Sequence, residues 1–176
     1  MNSETKIYPK YKRINCKIGC AHIGVGNFHR AHQAYYIDKY MSESNDLNWG
    51  IVGINLRKSE GRNLKNLKKR EGKYILKTID TKGVTKFNEI HSIIQLLDWN
   101  DNKKESECIL SNQNIKIVTI TVTESGYYIN QSNQLNIKDD NKQKNIKGEK
   151  SNILYSNLHK ALNIRKNTCD EPITLL

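Results

Sequence analysis

The stretch that decides the fold is IGCAHIGVGNFHRAHQAYY, residues 18 to 36. It opens with a mostly apolar run, which is typical of a buried parallel strand, and this run ends at Gly24-x-Gly26. Residues 29–41 then carry apolar side chains at roughly helical spacing, from Ala31 and Ala34 to Ile37. The stretch therefore predicts a strand, a sharp glycine turn and a helix.

Such a turn is suited to a phosphate group. Gly24 and Gly26 let the chain turn sharply and let a pyrophosphate come close to the backbone. The free N–H groups of the following helix favour an anion, and Arg30 in its first turn is placed to reach phosphate oxygens. His29 stands where a third glycine is usual. A chance pair of glycines remains the alternative at this point.

A second apolar run, WGIVGINL at residues 49–56, predicts a second buried strand. An acidic residue after this strand would hold the ribose 2′-OH of a dinucleotide, and Glu60 in NLRKSEG is the candidate. Arg57 and Lys58 would instead suit a 2′-phosphate. An ordinary charged loop remains the third interpretation.

The rest of the chain continues the alternation of strands and helices. Residues 60–71 predict a helix with Leu64 and Leu67 turned inward, KYILKTID predicts a strand, and EIHSIIQLLDW predicts a helical or mixed segment. IKIVTITVT (115–123) is a β-branched strand followed by the turn ESGYY, and a polar loop spans 130–150. A helix with Ser151 as N-cap and a strand at PITLL complete the pattern. This order predicts an α/β fold with a doubly wound, mostly parallel sheet, and both glycine turns at carboxyl ends of strands.

Composition limits the function classes. The 176 residues suffice for one domain, with a flexible lead at 1–14. The formal charge of +11 invites a nucleic-acid interpretation, but the lysines are scattered and no nucleic-acid-binding motif accompanies them, so a solvated basic surface is favoured. Four cysteines are interpreted as free thiols. No signal peptide or membrane-spanning run is found, which indicates a cytoplasmic protein.

Three motifs together carry a family resemblance. HIGVGNFHRAHQAYY, WGIVGINLR and TITVTESGYYI resemble the long-chain polyol dehydrogenases, the mannitol 2-dehydrogenase and fructuronate reductase family. The family's first motif has the same Gly-x-Gly-x-Phe-His-Arg-x-His shape, so the resemblance explains His29 as part of a variant fingerprint. It covers most of residues 18–176 and implies a Rossmann-like domain that binds a nicotinamide cofactor, NAD, with NADP as the alternative.

The resemblance also implies roles for individual residues. Those expected to bind the cofactor are Gly24, Gly26, Phe28, His29 and Arg30 around the pyrophosphate, Glu60 near the ribose, and Thr123, Glu124 and Gly126 beside the nicotinamide or substrate. His22 is interpreted as a hydrogen-bonded core histidine, and His32 as a structural residue or a phosphate contact. Asp38 and Glu43 are expected to be exposed helix charges. The histidine spacing does not indicate a metal site.

Catalysis in the resembled family rests on a second, largely helical domain with a lysine base and oxygen-holding asparagine and histidine side chains. Lys150, Asn157 and His159 do not match that set, so no catalytic residue is assigned here. We expect residues 1–176 to be the N-terminal dinucleotide-binding domain alone, truncated before the helical domain and inactive by itself. A polyol, keto-sugar or hexuronate would be the substrate once that domain is supplied, and the truncated sheet edge would favour association.

The sequence leaves three interpretations of the function open. The first is a domain of such an oxidoreductase. The second is a nucleotide-binding remnant or regulatory module without catalysis, and the third is a basic nucleic-acid binder. Binding of NAD without turnover would favour the second, and salt-sensitive binding of DNA or RNA the third.

Overall fold

The computed structural model describes residues 5–55, 61–99, 101, 103–121 and 154–176. Eight strands and five α-helices lie in these ranges, with one 3₁₀ turn at Arg13–Asn15. In chain order they are β1 (Thr5–Ile7), β2 (Ile18–Ile23), α1 (Asn27–Ala31), α2 (Gln33–Ser44), β3 (Gly50–Asn55), α3 (Gly61–Lys69), β4 (Tyr74–Ile79), β5 (Thr85–Ile90), β6 (Ile93–Asp98), α4 (Lys103–Leu110), β7 (Ile117–Ile120), α5 (Leu154–Thr168) and β8 (Thr174–Leu175).

The main sheet has five parallel strands in the order β6-β3-β2-β7-β8. The first strand of this sheet in the chain, β2, therefore lies at its centre, and the strand order runs outward from it in both directions. This is the order of a doubly wound Rossmann sheet. The α/β prediction with a mostly parallel sheet is confirmed.

Both faces of the sheet are covered, because successive side chains of a strand point to opposite faces. On one face Ala21, Ile23, Val52 and Ile54 are buried with the side chains of α4 and α5. On the other face the cluster of buried residues contains Cys20, Ala34, Ile51, Leu67, Tyr74, Ile90 and Ile93. All six residues of β3 are buried, as expected for a strand with helices on both sides.

A second, three-stranded sheet has the strand order β1-β5-β4. Its strands β4 and β5 are inserted in the chain between α3 and β6, whereas β1 comes from the N-terminal segment. The β4–β5 pair is an antiparallel hairpin, and β1 pairs with β5 in parallel. We expected a flexible lead at residues 1–14, and within its described part, residues 5–14, the structure differs from this expectation. Thr5–Ile7 pairs with β5, and Tyr11 is buried, because the hairpin provides a free edge for the lead.

The interpretation of EIHSIIQLLDW as helical or mixed was wrong. Its residues end β5 and form β6, which pairs with β3 along Ile51–Asn55. A short apolar run does not distinguish a buried strand from a buried helix by its period alone. The pairing with β3 decides between them.

The helix after the glycine turn is broken in two at His32, which has φ −118° and ψ −90°.

The prediction for α3 is confirmed, since Leu64 and Leu67 are buried. The helix predicted near residues 151–166 is α5, while its proposed N-cap Ser151 and the polar loop at 130–150 lie outside the described residues. None of the described helices is long and apolar enough to cross a bilayer. All four cysteines are free thiols.

Asp38 corrects the expectation of an exposed helix charge. Its carboxylate is buried and accepts hydrogen bonds from the Tyr11 hydroxyl at 2.6 Å and from the backbone N–H of His91 at 2.7 Å. Burial raises the pKa of Asp38 above its usual range. Because Tyr11 is in the N-terminal lead and His91 follows β5, this one carboxylate joins α2 to both. Glu43 is exposed as expected and lies 3.9 Å from Lys39.

Candidate functional site

The glycine turn lies at the carboxyl end of the central strand β2. The N–H of Gly24 donates to the carbonyl of Ile54 in β3 at 2.9 Å, and the N–H of Gly26 donates to the carbonyl of Gly24 at 2.7 Å. On the other side, the N–H of Thr121 after β7 donates to the carbonyl of Ile23 at 2.9 Å. The turn therefore lies where the strand order reverses, which is the position at which open α/β sheets bind ligands.

The two glycines of the turn meet different constraints. Gly24 has φ +98°, a conformation that favours glycine, and a Cβ built on it would collide with the carbonyl oxygen of Thr121. Gly26 has φ −90°, and the nearest atom to a Cβ built there is the carbonyl oxygen of Gly24, 3.9 Å away. The fold therefore requires glycine at 24, whereas at 26 the part of the chain that the structure describes leaves space beside the backbone.

Helix α1 follows at once and presents three of the predicted residues. The backbone N–H of Arg30 donates to the carbonyl of Gly26, and its guanidinium donates to the side-chain oxygen of Asn27. The same guanidinium lies over the ring of Tyr74, 5.7 Å from the ring centroid. The Phe28 side chain is 65% exposed and stacks on His32. Gly26, Phe28 and Arg30 thus lie together at the end of β2.

Beneath the turn, two histidines are stacked in the interior. The rings of His22 and His29 are 3.5 Å apart between centroids and nearly parallel, at 9°, and both side chains are buried. His22 Nε2 lies 2.9 Å from the carbonyl oxygen of Gly24, and His22 Nδ1 lies 2.6 Å from Thr119 Oγ1. His22 is the hydrogen-bonded core histidine that the sequence predicts. His29 is buried as well, so its side chain supports the turn from below.

Gln33 on α2 connects the two rings. Its side-chain amide lies 3.1 Å from His29 Nδ1 and 2.7 Å from Thr119 Oγ1. If it presents its oxygen, the Thr119 hydroxyl donates to it and accepts from His22 Nδ1–H. The remaining nitrogen of a neutral His22 would then face the Gly24 carbonyl with a lone pair, so that two acceptors meet.

The opposite orientation of the amide gives each of these four contacts one donor and one acceptor. Its nitrogen donates to Thr119 and to His29 Nδ1, the Thr119 hydroxyl donates to His22 Nδ1, and His22 Nε2–H donates to the Gly24 carbonyl. We adopt this arrangement. It leaves the proton of His29 on Nε2, a buried donor without a partner among the described residues.

Both imidazoles are neutral at physiological pH. Burial lowers the pKa of His22 to about 4, and burial together with the neighbouring His22 lowers the pKa of His29 to about 3. Neutral rings beneath the turn hold its geometry through hydrogen bonds and stacking. They do not offer the positive charge that an imidazolium would give to a phosphate.

The structure brings Gly24, Gly26, Phe28, His29 and Arg30 together. The other predicted site residues, Glu60, Thr123, Glu124 and Gly126, lie outside the described residues. Sequence reasoning missed Gln33 and Thr119, whose roles follow from contacts between β2, α2 and β7. It also missed Asn55 and Asp98, buried polar residues at the carboxyl ends of β3 and β6, with 3.3 Å between the Asn55 amide nitrogen and a carboxylate oxygen of Asp98. The sequence could have indicated Asn55 and Asp98, because each is a polar residue at the end of an apolar strand.

Comparison with known proteins gives consistent matches. The family of the mannitol dehydrogenase Rossmann domain matches residues 18–176. D-Arabinitol 4-dehydrogenase of Klebsiella pneumoniae is 35% identical over 163 residues, which are 93% of this chain and 35% of that protein. Mannitol 2-dehydrogenase of Phaeosphaeria nodorum is 36% identical over 124 residues, 70% of this chain and 22% of that protein.

Solved structures agree. Mannitol 2-dehydrogenase of Pseudomonas fluorescens, in a ternary complex with NAD and D-mannitol, superposes with a TM-score of 0.88 at 28% identity over 97% of this chain and 35% of that one. A substrate-free D-sorbitol dehydrogenase has the same fold, with a TM-score of 0.87. The chain spans about a third of the length of these proteins, or less. The 176-residue chain belongs to the mannitol dehydrogenase family, and its residues 18–176 correspond to the Rossmann domain of that family.

Proposed function

We propose that this chain is the NAD-binding part of an oxidoreductase that transfers hydride between NAD(H) and a sugar alcohol or its keto form. The observation that carries the proposal is the glycine turn at the centre of the parallel sheet, with open space beside Gly26 where a pyrophosphate needs close approach. The named activities of the relatives, on D-arabinitol and mannitol, support a polyol as the substrate class. A hexuronate such as fructuronate is the nearest alternative.

The residues have separate tasks in this proposal. Gly24 holds the turn, Gly26 admits the pyrophosphate, and Phe28 and Arg30 flank it. His29 contributes from below, through its buried ring. Glu60 accepts a hydrogen bond from the adenosine ribose, which favours NAD over NADP, and Thr123, Glu124 and Gly126 lie beside the nicotinamide or substrate. When bound, the cofactor supplies the hydride acceptor or donor.

Binding of the cofactor is tested by calorimetric titration of the 176-residue chain with NAD. We expect saturable binding to the wild type, and none for Gly26→Val, because the valine side chain fills the space that the pyrophosphate needs. The variant should keep its fold, since the added Cβ meets no atom closer than 3.9 Å. A folded Gly26→Val protein with unchanged affinity would contradict the proposal.

The proposed place of action is the cytoplasm. NAD binding without polyol turnover in the complete protein would instead indicate a regulatory nucleotide-binding module. Assays of hydride transfer with mannitol, arabinitol and fructuronate separate these substrate classes.

A further inference from the structure

A basic cavity lies between α1, α3 and the start of β4. Its volume is about 460 Å³, and Arg30, Asn63, Asn66, Lys69, Arg70 and Lys73 line it together with the buried side chains of Leu67 and Tyr74. Four of these residues are cations, two carry side-chain amides, and none is acidic. Residues 61–73 contain six lysine or arginine residues against one glutamate, Glu71.

The cations come from different elements and are held there by the fold. Arg30 is the fourth residue of α1 and reaches the cavity because its guanidinium lies over the Tyr74 ring, while the Tyr74 hydroxyl donates to the Arg30 carbonyl at 2.6 Å. A tight turn follows α3, with Glu71 at φ +54° and Gly72 at φ +84°. In this turn the N–H of Gly72 donates to the carbonyl of Leu67, which places Arg70 and Lys73 at the same rim.

Among the described residues, the charge of this cluster is only partly balanced. Lys73 pairs with Glu71 at 2.7 Å, and the guanidinium of Arg30 donates to Asn27, a neutral side chain. The Arg30 Nε–H is buried and has no partner among the described residues. Basic residues at the end of a helix stabilise its dipole, which accounts for Lys68 and Lys69, but this effect does not place Arg30 of another helix beside them.

We propose that this cavity binds a phosphate monoester dianion, at a site that adjoins the proposed pyrophosphate site on the glycine turn and shares Arg30 with it, while Lys69, Arg70 and Lys73 belong to the cavity alone. Arginine forks and lysines are the side chains that bind phosphate oxygens most strongly, and asparagine amides add neutral donors. Two kinds of ligand carry such a phosphate group: a free phosphate or sugar phosphate, and NADP through its 2′-phosphate. Because Glu60 is proposed to favour NAD, a free phosphate ester is the expected source.

The test is calorimetric titration of the 176-residue chain with inorganic phosphate, against sodium chloride of equal ionic strength. Lys69→Gln/Arg70→Gln removes two cations of the cavity. The matched control, Lys65→Gln/Lys68→Gln, removes two exposed lysines of the same helix that do not line it. We expect the cavity variant to lose about tenfold or more in phosphate affinity, since two charge-assisted contacts are removed, and the control to lose much less.

Three results would overturn the proposal: equal phosphate affinity of the wild type and the cavity variant, equal losses in cavity variant and control, or loss of phosphate binding in Gly26→Val. The last would place the anion at the glycine turn. Folding of each variant is checked by circular dichroism. NAD affinity is measured in parallel, so that failure of the proposed NAD site is distinguished from failure of this one.

Titrations with phosphate in the presence of NAD or NADP identify which molecule supplies the phosphate group. If phosphate binds equally well with and without saturating NAD and NADP, the site takes a free phosphate ester. If NADP displaces phosphate and NAD does not, and the cavity variant loses this difference, the site takes the 2′-phosphate. Both results require the cavity to bind the dianion.

Discussion

At the scale of single residues, Gly24 and Gly26 stand two positions apart in one turn, but they are glycine for different reasons. At Gly24 the backbone has a left-handed φ of +98° and the Thr121 carbonyl occupies the space of a Cβ. At Gly26 the backbone is ordinary and the space is open. Gly24 is thus required by the fold, whereas we propose that Gly26 is glycine to admit the pyrophosphate.

This difference predicts effects of unequal size when alanine replaces each glycine. Gly24→Ala should lower the free energy of unfolding by about 2 kcal/mol or more. The alanine would strain the backbone, and its Cβ would clash with the carbonyl oxygen of Thr121 after β7. Gly26→Ala should change it by less than about 0.5–1 kcal/mol. Urea unfolding followed by circular dichroism measures both. Equal losses would contradict the assignment of separate tasks.

The stacked histidines predict a dependence of stability on pH. The pKa values of His22 and His29 fall from 6.5 in the unfolded chain to about 4 and about 3 in the fold. Below pH 6.5 the unfolded chain therefore binds more protons, and stability is lost as the pH falls towards the folded values. Each histidine contributes a slope of up to about 1.4 kcal/mol per pH unit, so we expect a loss of roughly 4 kcal/mol between pH 7 and 5.

The control for this effect is His29→Gln, which removes one of the two titrating rings. Its unfolding free energy at pH 7 should be lower than that of the wild type, and its slope between pH 7 and 5 should be about half as steep. Asp38 acts in the opposite direction: because its pKa is raised in the fold, its contribution to stability grows as the pH falls. A slope unchanged by His29→Gln would contradict the role of the pair.

At the scale of secondary-structure elements, Arg165 attaches α5 to the chain around it. Its guanidinium is buried and donates to the carbonyls of Asn112 at 2.7 Å, Ile115 at 3.3 Å and Glu171 at 2.9 Å. Asn112 and Ile115 precede β7, and Glu171 precedes β8. One side chain therefore holds the segments that lead into two neighbouring strands.

We expect Arg165→Met to lower the free energy of unfolding by about 3 kcal/mol, because it leaves several carbonyl groups without donors in the interior. Lys166→Met, on the exposed side of the same helix, is the matched control and should have little effect. Thermal and urea unfolding of the two variants give the comparison. Similar stability of both variants would show that the carbonyls find other donors.

At the scale of the whole molecule, two sheets are joined through α2 and the segment after β5. The Tyr11–Asp38–His91 contacts connect the three-stranded sheet and its lead to the Rossmann sheet. β8 is an outer strand with exposed Leu175 and Leu176. Association of the 176-residue chain through this edge remains a prediction, which light scattering over a range of concentrations would test.

We expect the 176-residue chain to bind NAD without oxidising mannitol at a measurable rate. A general base must lie about 2.6–3.2 Å from the hydroxyl, whereas His22 and His29 are buried, neutral and engaged in the stack beneath the turn. Loss of one oxyanion donor alone costs about 10²–10³ in rate. The assay follows absorbance of the reduced cofactor, with a mannitol 2-dehydrogenase as positive control. Turnover comparable to that control would contradict this account.

Local patterns in the sequence determined much of this protein. Residue types and their spacing are enough to predict several features: the apolar runs of β2 and β3, the glycines between β2 and α1, and the inward leucines of α3. The doubly wound α/β fold and the placing of Gly26 and Arg30 at a strand end followed from them. These statements need only the period of apolar side chains and the conformational freedom of glycine.

Only the tertiary structure decided what depends on contacts between distant residues. The run at 93–98 is a strand because β3 lies beside it, and Asp38 is buried because Tyr11 and His91 reach it from far along the chain. His29 faces the interior because His22, Gln33 and Thr119 come together there. Residue type and spacing carry no information about such partners, because a polar group is buried only where the folded chain supplies its hydrogen bonds.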